Sequence, residues 1–136
     1  MPSLKITHGT WEELQQAAKM IREQVFIQEQ NIAAEDEWDE QDEIAVHFVV
    51  YEQDQAIATA RLLQNHSIGR VAVLKSHRGL GVGKVLMQAV IAYAQQQLRP
   101  FLVLSSQVHA QAFYQALGFM HAGAVSLACC VPHLHI

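Results

Sequence analysis

The chain has 136 residues, which predicts a single domain spanning residues 1–136 with one hydrophobic core and no second folding unit. Apolar residues make up 51% of the sequence and charged residues 16%, a balance that excludes a disordered chain. No apolar run reaches the roughly 18 residues of a membrane span, and residues 1–5 lack the apolar core of a signal peptide. We therefore expect a cytoplasmic protein without a membrane partner.

The first third of the chain predicts a short strand and two helices. A strand is expected at 5–7, and Thr10 and Glu13 have the spacing of a capping box. Apolar residues then recur every three or four positions, which predicts a helix over 11–24. A second, shorter helix is expected from residue 26 to about residue 31.

Acidic residues are concentrated in one segment. Residues 35–43 contain seven acids and no basic residue, in a chain whose net charge is −4. The remainder is net positive, and Arg70, Lys75, Arg78 and Lys84 are concentrated at one loop. Two interpretations of the acidic segment stand equal: a solvated loop that aids solubility, or a surface that attracts a cation such as an amine.

The middle of the chain predicts a hairpin and a third strand. Residues 45–51 and 56–63 are β-rich and flank four polar residues, the pattern of an antiparallel hairpin. A turn is expected at 65–69 and a strand at 70–74.

The second half alternates between helices and strands. A long core-facing helix is expected from the glycine run to Pro100, and the apolar run 101–105 predicts a strand covered on both faces. A right-handed crossover would make this strand parallel to the strand at 70–74. A short helix at 110–117, ended by a glycine, and two closing strands, at 119–122 and in a segment ending at residue 136, complete the prediction.

The glycine run has the features of an anion site. The first N–H groups of a helix have no partner within it, and the helix dipole places positive charge there. Glycine at positions 79, 81 and 83 leaves room for a phosphate to reach these groups, while Arg78 and Lys84 supply countercharge. A tight corner without a ligand is the alternative interpretation.

The glycine spacing excludes two common nucleotide loops. A P-loop would need glycine at 78 and Ser or Thr at 85, where Arg78 and Val85 stand. A dinucleotide fingerprint would need glycine at 84 or 86, which are Lys84 and Leu86. The run instead fits R-x-x-G-x-G, with Arg78 first, directly after a predicted strand. This pattern resembles the acyl-CoA loop of the GNAT family, the Gcn5-related N-acetyltransferases.

A second segment carries the same resemblance. Residues 107–119 are similar to the family pattern N-x-x-A-x-x-x-Y-x-x-x-G-F, with Gln107 in the place of the usual Asn and Tyr114 in register. Within the family, the chain also resembles the subgroup of the bacterial proteins ElaA and YjcF. That likeness is carried by Arg22, Val25, Phe26, Glu29, Gln30, Asp39, His47, residues 59–62, residues 69–73 and the pair 132–133. The ending departs from the subgroup pattern, because Ala128 and Cys130 stand where a glutamate and a glycine are expected.

The resemblance implies a fold and a set of cofactor contacts. The fold class is α/β (α+β): a GNAT-like, mixed and mostly antiparallel sheet of six to seven strands, with a splayed parallel central pair and about four flanking helices. Acetyl-CoA is the expected cosubstrate, and its pantetheine arm would enter between the splayed strands. The expected cofactor-binding residues are Val71, Ala72, Val73, Arg78, Gly79, Leu80, Gly81, Val82, Gly83, Lys84, Gln107 and Tyr114.

The implied reaction is transfer of an acetyl group to a primary amine in a ternary complex. A protonated amine is unable to attack, so a base is needed, together with an acid for the departing thiolate. Tyr114 is the candidate acid, with core packing as its alternative role. Glu29, His47 and His133 are candidate bases, and a water chain leading to solvent could replace them.

An inactive acyl-CoA-binding sensor or regulatory module is the alternative function, and the altered ending supports it. Net negative charge argues against a nucleic-acid partner. The two adjacent cysteines and eight histidines show no ligand spacing of a metal site, so no metal is expected. The expected partners are acetyl-CoA and an unidentified amine, with a homodimer as an open option.

Overall fold

A computed structural model of the chain describes residues 3–33, 37–106, 110–122 and 126–130. Seven strands form one sheet: β1 Leu4–Gly9, β2 Val46–Glu52, β3 Gln55–Leu62, β4 Ser67–Val73, β5 Phe101–Ser105, β6 Met120–His121 and β7 Ser126–Cys130. Their order is β1-β2-β3-β4-β5-β7-β6, and every neighbouring pair is antiparallel except β4 and β5. The predicted mixed sheet with a parallel central pair is confirmed.

Helical segments flank this sheet. They are the α-helices α1 Trp11–Arg22, α2 Val82–Gln96 and α3 Gln111–Ala116, a π-helical segment Glu23–Glu29, and short 3₁₀ turns at Glu40–Glu43 and Lys75–His77. The predicted capping box opens α1: the Thr10 hydroxyl accepts from the Glu13 N–H, and the Glu13 carboxylate accepts from the Thr10 N–H. No helix within the described ranges is long and apolar enough to cross a membrane.

The prediction of a separate second helix near residue 26 is wrong. Helix α1 continues without a break into the π-helical segment, where the N–H of Gln30 reaches the carbonyl of Val25. The chain then turns at Asn31, whose φ is 60°. A residue in this left-handed region ends a helix, which explains why the helical segment stops there.

The core lies on both sides of β2 and β3. Phe48 of β2 packs edge-on against Tyr93 of α2, whereas the neighbouring His47 contacts Trp11 of α1 with its ring tilted by 42°. Because successive side chains of a strand point to opposite faces, α1 and α2 cover opposite faces of the sheet. Strand β3 is accordingly buried from Ala56 to Leu62.

Several predicted boundaries, and the burial predicted for β5, differ from the structure. Strand β4 begins at Ser67 and not at residue 70, so part of the predicted turn is strand. Helix α2 ends at Gln96, before Pro100, and a left-handed residue, Leu98, follows it. Strand β5 buries only alternate residues and leaves Phe101 41% exposed, so it is covered on one face. Residues 131–136, predicted to end in a strand, lie outside the described residues.

The parallel pair separates soon after it begins. Strand β4 pairs with β5 at Ser67 with Val103 and at Ile68 with Leu104. The rest of β4 continues along β3, with Ala72 opposite Thr59. The predicted splay is therefore present, and it opens a gap between the carboxyl ends of these two strands.

Candidate functional site

A groove with a volume of about 1270 Å³ occupies the gap between β4 and β5. Its walls come from the π-helical segment, β4, the glycine loop with the start of α2, the end of β5, and α3. The predicted cofactor residues that line it are Val71, Ala72, Val73, Arg78, Gly79, Gly81, Val82, Gly83, Lys84 and Tyr114. Leu80 is 63% exposed and lies outside this lining. Gln107 lies outside the described residues.

The glycine loop adopts a conformation that only glycine takes easily. Gly79 and Gly81 have φ of 77° and 84°, and a Cβ built on either would meet nothing within 4 Å. The space beside both glycines is thus open. Gly81 also precedes α2 without any side-chain cap, which leaves the first N–H groups of a 15-residue helix available to an anion.

Gly83 has a different role from the other two glycines. It is helical, and a Cβ there would lie 3.4 Å from Cζ of Phe113 on α3. Tyr114, one residue later, also lines the groove. A side chain at position 83 would therefore contact α3, whereas one at position 79 or 81 would face open space.

Arg78 is already engaged by a carboxylate. Its two terminal nitrogens donate to Glu29 at 2.6 and 2.7 Å, and its Nε donates to the carbonyl of Val73 at 2.9 Å. This pair joins the π-helical segment to the glycine loop. The hydrogen bonds from Arg78 lower the pKa of Glu29 below its ordinary value, so Glu29 is a weaker base than a solvated glutamate. The second basic residue of the glycine loop, Lys84, also lines the groove.

Over residues 37–43 the acidic segment divides into two sets: Glu40 and Glu43 are exposed, as a solvated loop requires, whereas the other three acids are paired with arginines. The Arg22 guanidinium donates to Glu37 and Asp42, each at 2.8 Å, with all three side chains buried. Arg61 donates to Asp39 at 2.6 and 3.0 Å and to Asp42 at 2.9 Å. Three acids of the segment are thus neutralised by arginines and are unavailable to a cationic substrate. Residues 35 and 36 lie outside the described residues.

Burial and ion pairing act in opposite directions on this cluster. Burial alone would raise the pKa of Asp42, but hydrogen bonds from Arg22 and Arg61 outweigh it and hold that pKa below its ordinary value. The pKa of Asp39 is lowered as well, chiefly by its hydrogen bonds with Arg61. The Arg22 guanidinium additionally lies 5.0 Å from the ring centre of Trp38 and 5.5 Å from that of Trp11.

Strand β4 contains a bulge where it borders the groove. Arg61 of β3 pairs with Gly69 and Thr59 pairs with Ala72, so Ala60 alone faces two residues, Arg70 and Val71. Arg70 has φ of 51°, a conformation that costs a residue with a side chain roughly 1–2 kcal/mol. Its side chain reaches back to the acidic segment, 3.3 Å from a carboxylate oxygen of Asp39.

The candidate bases are not gathered at one place. Glu29 lines the groove, but His47 is buried on β2, where its Nε2 donates to the carbonyl of Asp42 at 2.8 Å. Desolvation lowers the pKa of His47. A neutral, buried histidine outside the groove lining is suited to holding the acidic segment and not to reaching a substrate. His133 lies outside the described residues.

Tyr114 stands where a proton donor could act. It lines the groove from α3, and its ring packs edge-on against Phe113 and Phe119. Burial raises the pKa of its hydroxyl, so the phenol stays protonated at neutral pH. Both the proposed acid role and the alternative of core packing are compatible with this environment.

Several lining residues were missed by sequence reasoning. Ser105 is the last residue of β5 and Ser106 follows it, and His77 lies in the turn before the glycine loop. The two serines could have been found from the rule that ligands bind beyond the carboxyl ends of parallel strands. No three His, Cys, Asp or Glu side chains within the described ranges are grouped as a metal site would require.

Comparisons with known proteins agree with this geometry. The sequence profile of the Acetyltransferase (GNAT) family matches residues 11–119. The uncharacterized N-acetyltransferase YjcF of Bacillus subtilis is 34% identical, and the match covers 92% of each chain. The crystal structure of Escherichia coli ElaA superposes with a TM-score of 0.83 at 26% identity, covering 93% of this chain and 99% of ElaA. An acyl-CoA N-acyltransferase from Pseudomonas aeruginosa gives a TM-score of 0.84 at 27% identity, over 93% and 99% of the two chains.

The family match covers the groove, the glycine loop and α3, and the two solved structures superpose over nearly the whole of this chain. This chain belongs to the GNAT family of acetyltransferases.

Proposed function

We propose that the protein transfers the acetyl group of acetyl-CoA to a primary amine of a small molecule or peptide, by direct attack in a ternary complex. The observation that carries this proposal is the open glycine loop, which leads into the uncapped start of α2 at the mouth of the groove. The pyrophosphate of CoA would bind there, and the pantetheine arm would extend along Val71–Val73 toward the gap between β4 and β5.

The groove residues suit the steps of such a transfer. The ammonium group of the acceptor loses a proton, and its neutral nitrogen attacks the thioester carbonyl carbon, forming a C–N bond. Backbone N–H groups of β4 would stabilise the resulting oxyanion. The C–S bond then breaks, and the thiolate takes a proton from Tyr114, whose raised pKa keeps that proton available. The nitrogen loses a second proton to solvent as the tetrahedral intermediate collapses to the amide. Because Glu29 is paired with Arg78, a water chain to solvent is the better candidate for removing the amine proton.

Isothermal titration with acetyl-CoA, ATP and NAD tests the cofactor. Micromolar binding of acetyl-CoA alone supports the proposal, whereas no binding of acetyl-CoA refutes it. A panel of primary amines with saturating acetyl-CoA, read out by free thiol, then tests turnover. Binding without thiol release on any amine would favour the sensor alternative. A cytoplasmic location and a homodimer stay predictions from the sequence.

A further inference from the structure

We propose that the acidic segment 37–42 and the Arg70 side chain act as a clamp that holds the β4 bulge in the position needed for acyl transfer, which makes Arg70 and Asp39 positioning residues. This inference rests on the proposed function. It concerns how this chain fixes the backbone beside the thioester, and it assigns a purpose to an ion cluster that binds no substrate itself.

The bulge has a strained backbone conformation. Arg70 holds a left-handed φ of 51° in a strand, and it lines the groove together with Val71. A strained residue of this kind persists only when its surroundings determine its conformation. The extra residue of a bulge also has no ladder partner of its own, so the pairing with β3 does not fix it.

The side chain of Arg70 supplies the missing restraint. Its Nε lies 3.3 Å from both the backbone carbonyl and the carboxylate of Glu37, and one terminal nitrogen lies 3.2 Å from the same carbonyl and 3.3 Å from Asp39. Glu37 is only 2% exposed. These contacts join the bulge to a segment 31–33 residues earlier in the chain.

The segment that receives Arg70 is itself held from two other elements. Arg22, at the end of α1, binds the buried Glu37 and Asp42, and Arg61, on β3, binds Asp39 and Asp42. Arg61 is the β3 residue paired with Gly69, immediately before the bulge. One cluster of ion pairs therefore restrains the bulge in two ways. Arg61 of the cluster pairs with the residue before the bulge, and the side chain of Arg70 joins the bulge itself to the cluster.

This arrangement matters for the transfer step because an oxyanion hole works only when its donors are fixed before the charge develops. A shift of the Arg70–Val71 backbone would leave the loop and the start of α2 intact. Binding of CoA should then persist while polarisation of the thioester carbonyl is lost.

The main test variant is Arg70→Gly, because glycine permits the same φ but lacks the side chain that forms the clamp. Arg70→Lys and Asp39→Asn are milder changes to the same contacts. Lys5→Ala on β1 is the matched control for loss of one positive charge. The dissociation constant of [1-¹³C]acetyl-CoA, the ¹³C shift of its bound carbonyl and, where an acceptor is found, kcat and KM are measured well below each variant's melting temperature.

We expect Arg70→Gly to bind acetyl-CoA within about threefold of wild type, to move the bound carbonyl shift back toward the free value, and to lower kcat about 10- to 100-fold. Arg70→Lys and Asp39→Asn should fall between Arg70→Gly and wild type, and Lys5→Ala should match wild type. If Arg70→Gly does not fold, Asp39→Asn decides the question by the same readouts.

The clamp is overturned if the folded variants keep the wild-type carbonyl shift and kcat, because the cluster would then serve stability alone. The clamp proposal is also overturned if the decrease in kcat is no larger than the decrease in affinity for acetyl-CoA. Failure of the proposed function looks different: wild-type protein itself would not bind acetyl-CoA or would release no thiol.

Discussion

The acidic segment and the glycine loop both contact β4, but they differ in how their charged and polar groups are satisfied. In the acidic segment, Glu37 and Asp42 are buried and face arginine guanidinium groups at 2.8 Å. In the glycine loop, two left-handed glycines border open space and the helix start has no side-chain cap. The first region satisfies its charges internally and so fixes a shape. In the second region Arg78 is paired with Glu29, but the N–H groups at the start of α2 have no side-chain cap, which suits the proposed phosphate site.

The sharpest test of the scaffold is Arg22→Ala. It would leave the buried Glu37 and Asp42 without their partner, and breaking a buried ion pair from one side typically costs about 3–5 kcal/mol. Denaturant unfolding measures the change, with Gln16→Ala on the exposed face of α1 as a control expected within about 0.5 kcal/mol. A loss below about 1 kcal/mol for Arg22→Ala would mean that the cluster does not stabilise the fold.

Among substitutions of residues that line the groove, Tyr114→Phe is expected to have the largest effect. It removes the proton donor but keeps the ring that packs on Phe113 and Phe119. We expect kcat to fall by about 100-fold, the lower range for losing a general acid, with the acetyl-CoA dissociation constant unchanged. Steady-state kinetics and calorimetry measure the two quantities separately. Unchanged kcat would assign Tyr114 to packing alone.

Gly81→Ala tests the conformation of the open loop. A Cβ at φ of 84° is strained although the space around it is empty, and we expect acetyl-CoA to bind about tenfold more weakly, in line with a left-handed cost of roughly 1–2 kcal/mol. Gly118→Ala is the matched control, because Gly118 also has a positive φ, of 105°, with nothing nearby. The control should lose stability without losing affinity. Equal affinity losses in both variants would show that the effect is global.

The dependence of stability on pH distinguishes the buried histidine from the carboxylates. His47 has a lowered pKa in the folded state, so as pH falls below about 6.5 the unfolded chain takes up a proton that the folded chain does not. The free energy of unfolding should therefore decrease by about 1 kcal/mol between pH 7.5 and 5.5 through this group.

His47→Gln keeps a donor for the Asp42 carbonyl and should flatten this slope, as measured by denaturant unfolding at each pH. The pKa values of Asp39 and Asp42 are lowered too, but their stabilisation is lost only as pH falls below about 4. A slope between pH 7.5 and 5.5 that is identical in His47→Gln would contradict the assignment.

The smallest expected effect concerns the Glu29–Arg78 pair, which connects the two walls of the groove. Both side chains are more than a third exposed, so the pair is weak and screened by salt. Glu29→Gln should tighten acetyl-CoA binding by at most about fivefold, because Arg78 becomes free for a phosphate. Arg78→Ala should weaken acetyl-CoA binding, so the two variants should shift the dissociation constant in opposite directions in the same titration. Weaker binding in Glu29→Gln would mean that Glu29 orients Arg78 for the ligand.

The sequence predicts which residues line the groove better than it predicts the ion pairs of the acidic cluster. The glycine spacing and the preceding strand are local signals, and they led to the residues from Val71 to Lys84 that line the groove. The partners of Arg22, Arg61 and Arg70 lie 15 to 33 residues away along the chain, and no periodicity encodes such contacts. The sequence alone therefore predicted either a solvated loop or a cation-attracting surface for the acidic segment.

The subgroup resemblance contained part of the missing information. Arg22, Asp39, His47, Arg61 and Arg70 were all among the residues that carried it, and all take part in the acidic cluster or hold it in place. The π-helical segment escaped prediction for a simpler reason: its apolar residues suit an α-helix equally well, since one extra residue per turn barely alters a short pattern.

The separation of β4 and β5 also has a mechanical meaning. Their described pairing is limited to two residue pairs, so little sheet hydrogen bonding joins β5, β7 and β6 to β1–β4. A ligand seated between the two strands would contact both parts of the sheet, and its hydrogen bonds would replace those that β4 and β5 do not make with each other. Under the proposed function, acetyl-CoA binding should therefore stiffen β5, β7 and β6 more than the rest of the molecule.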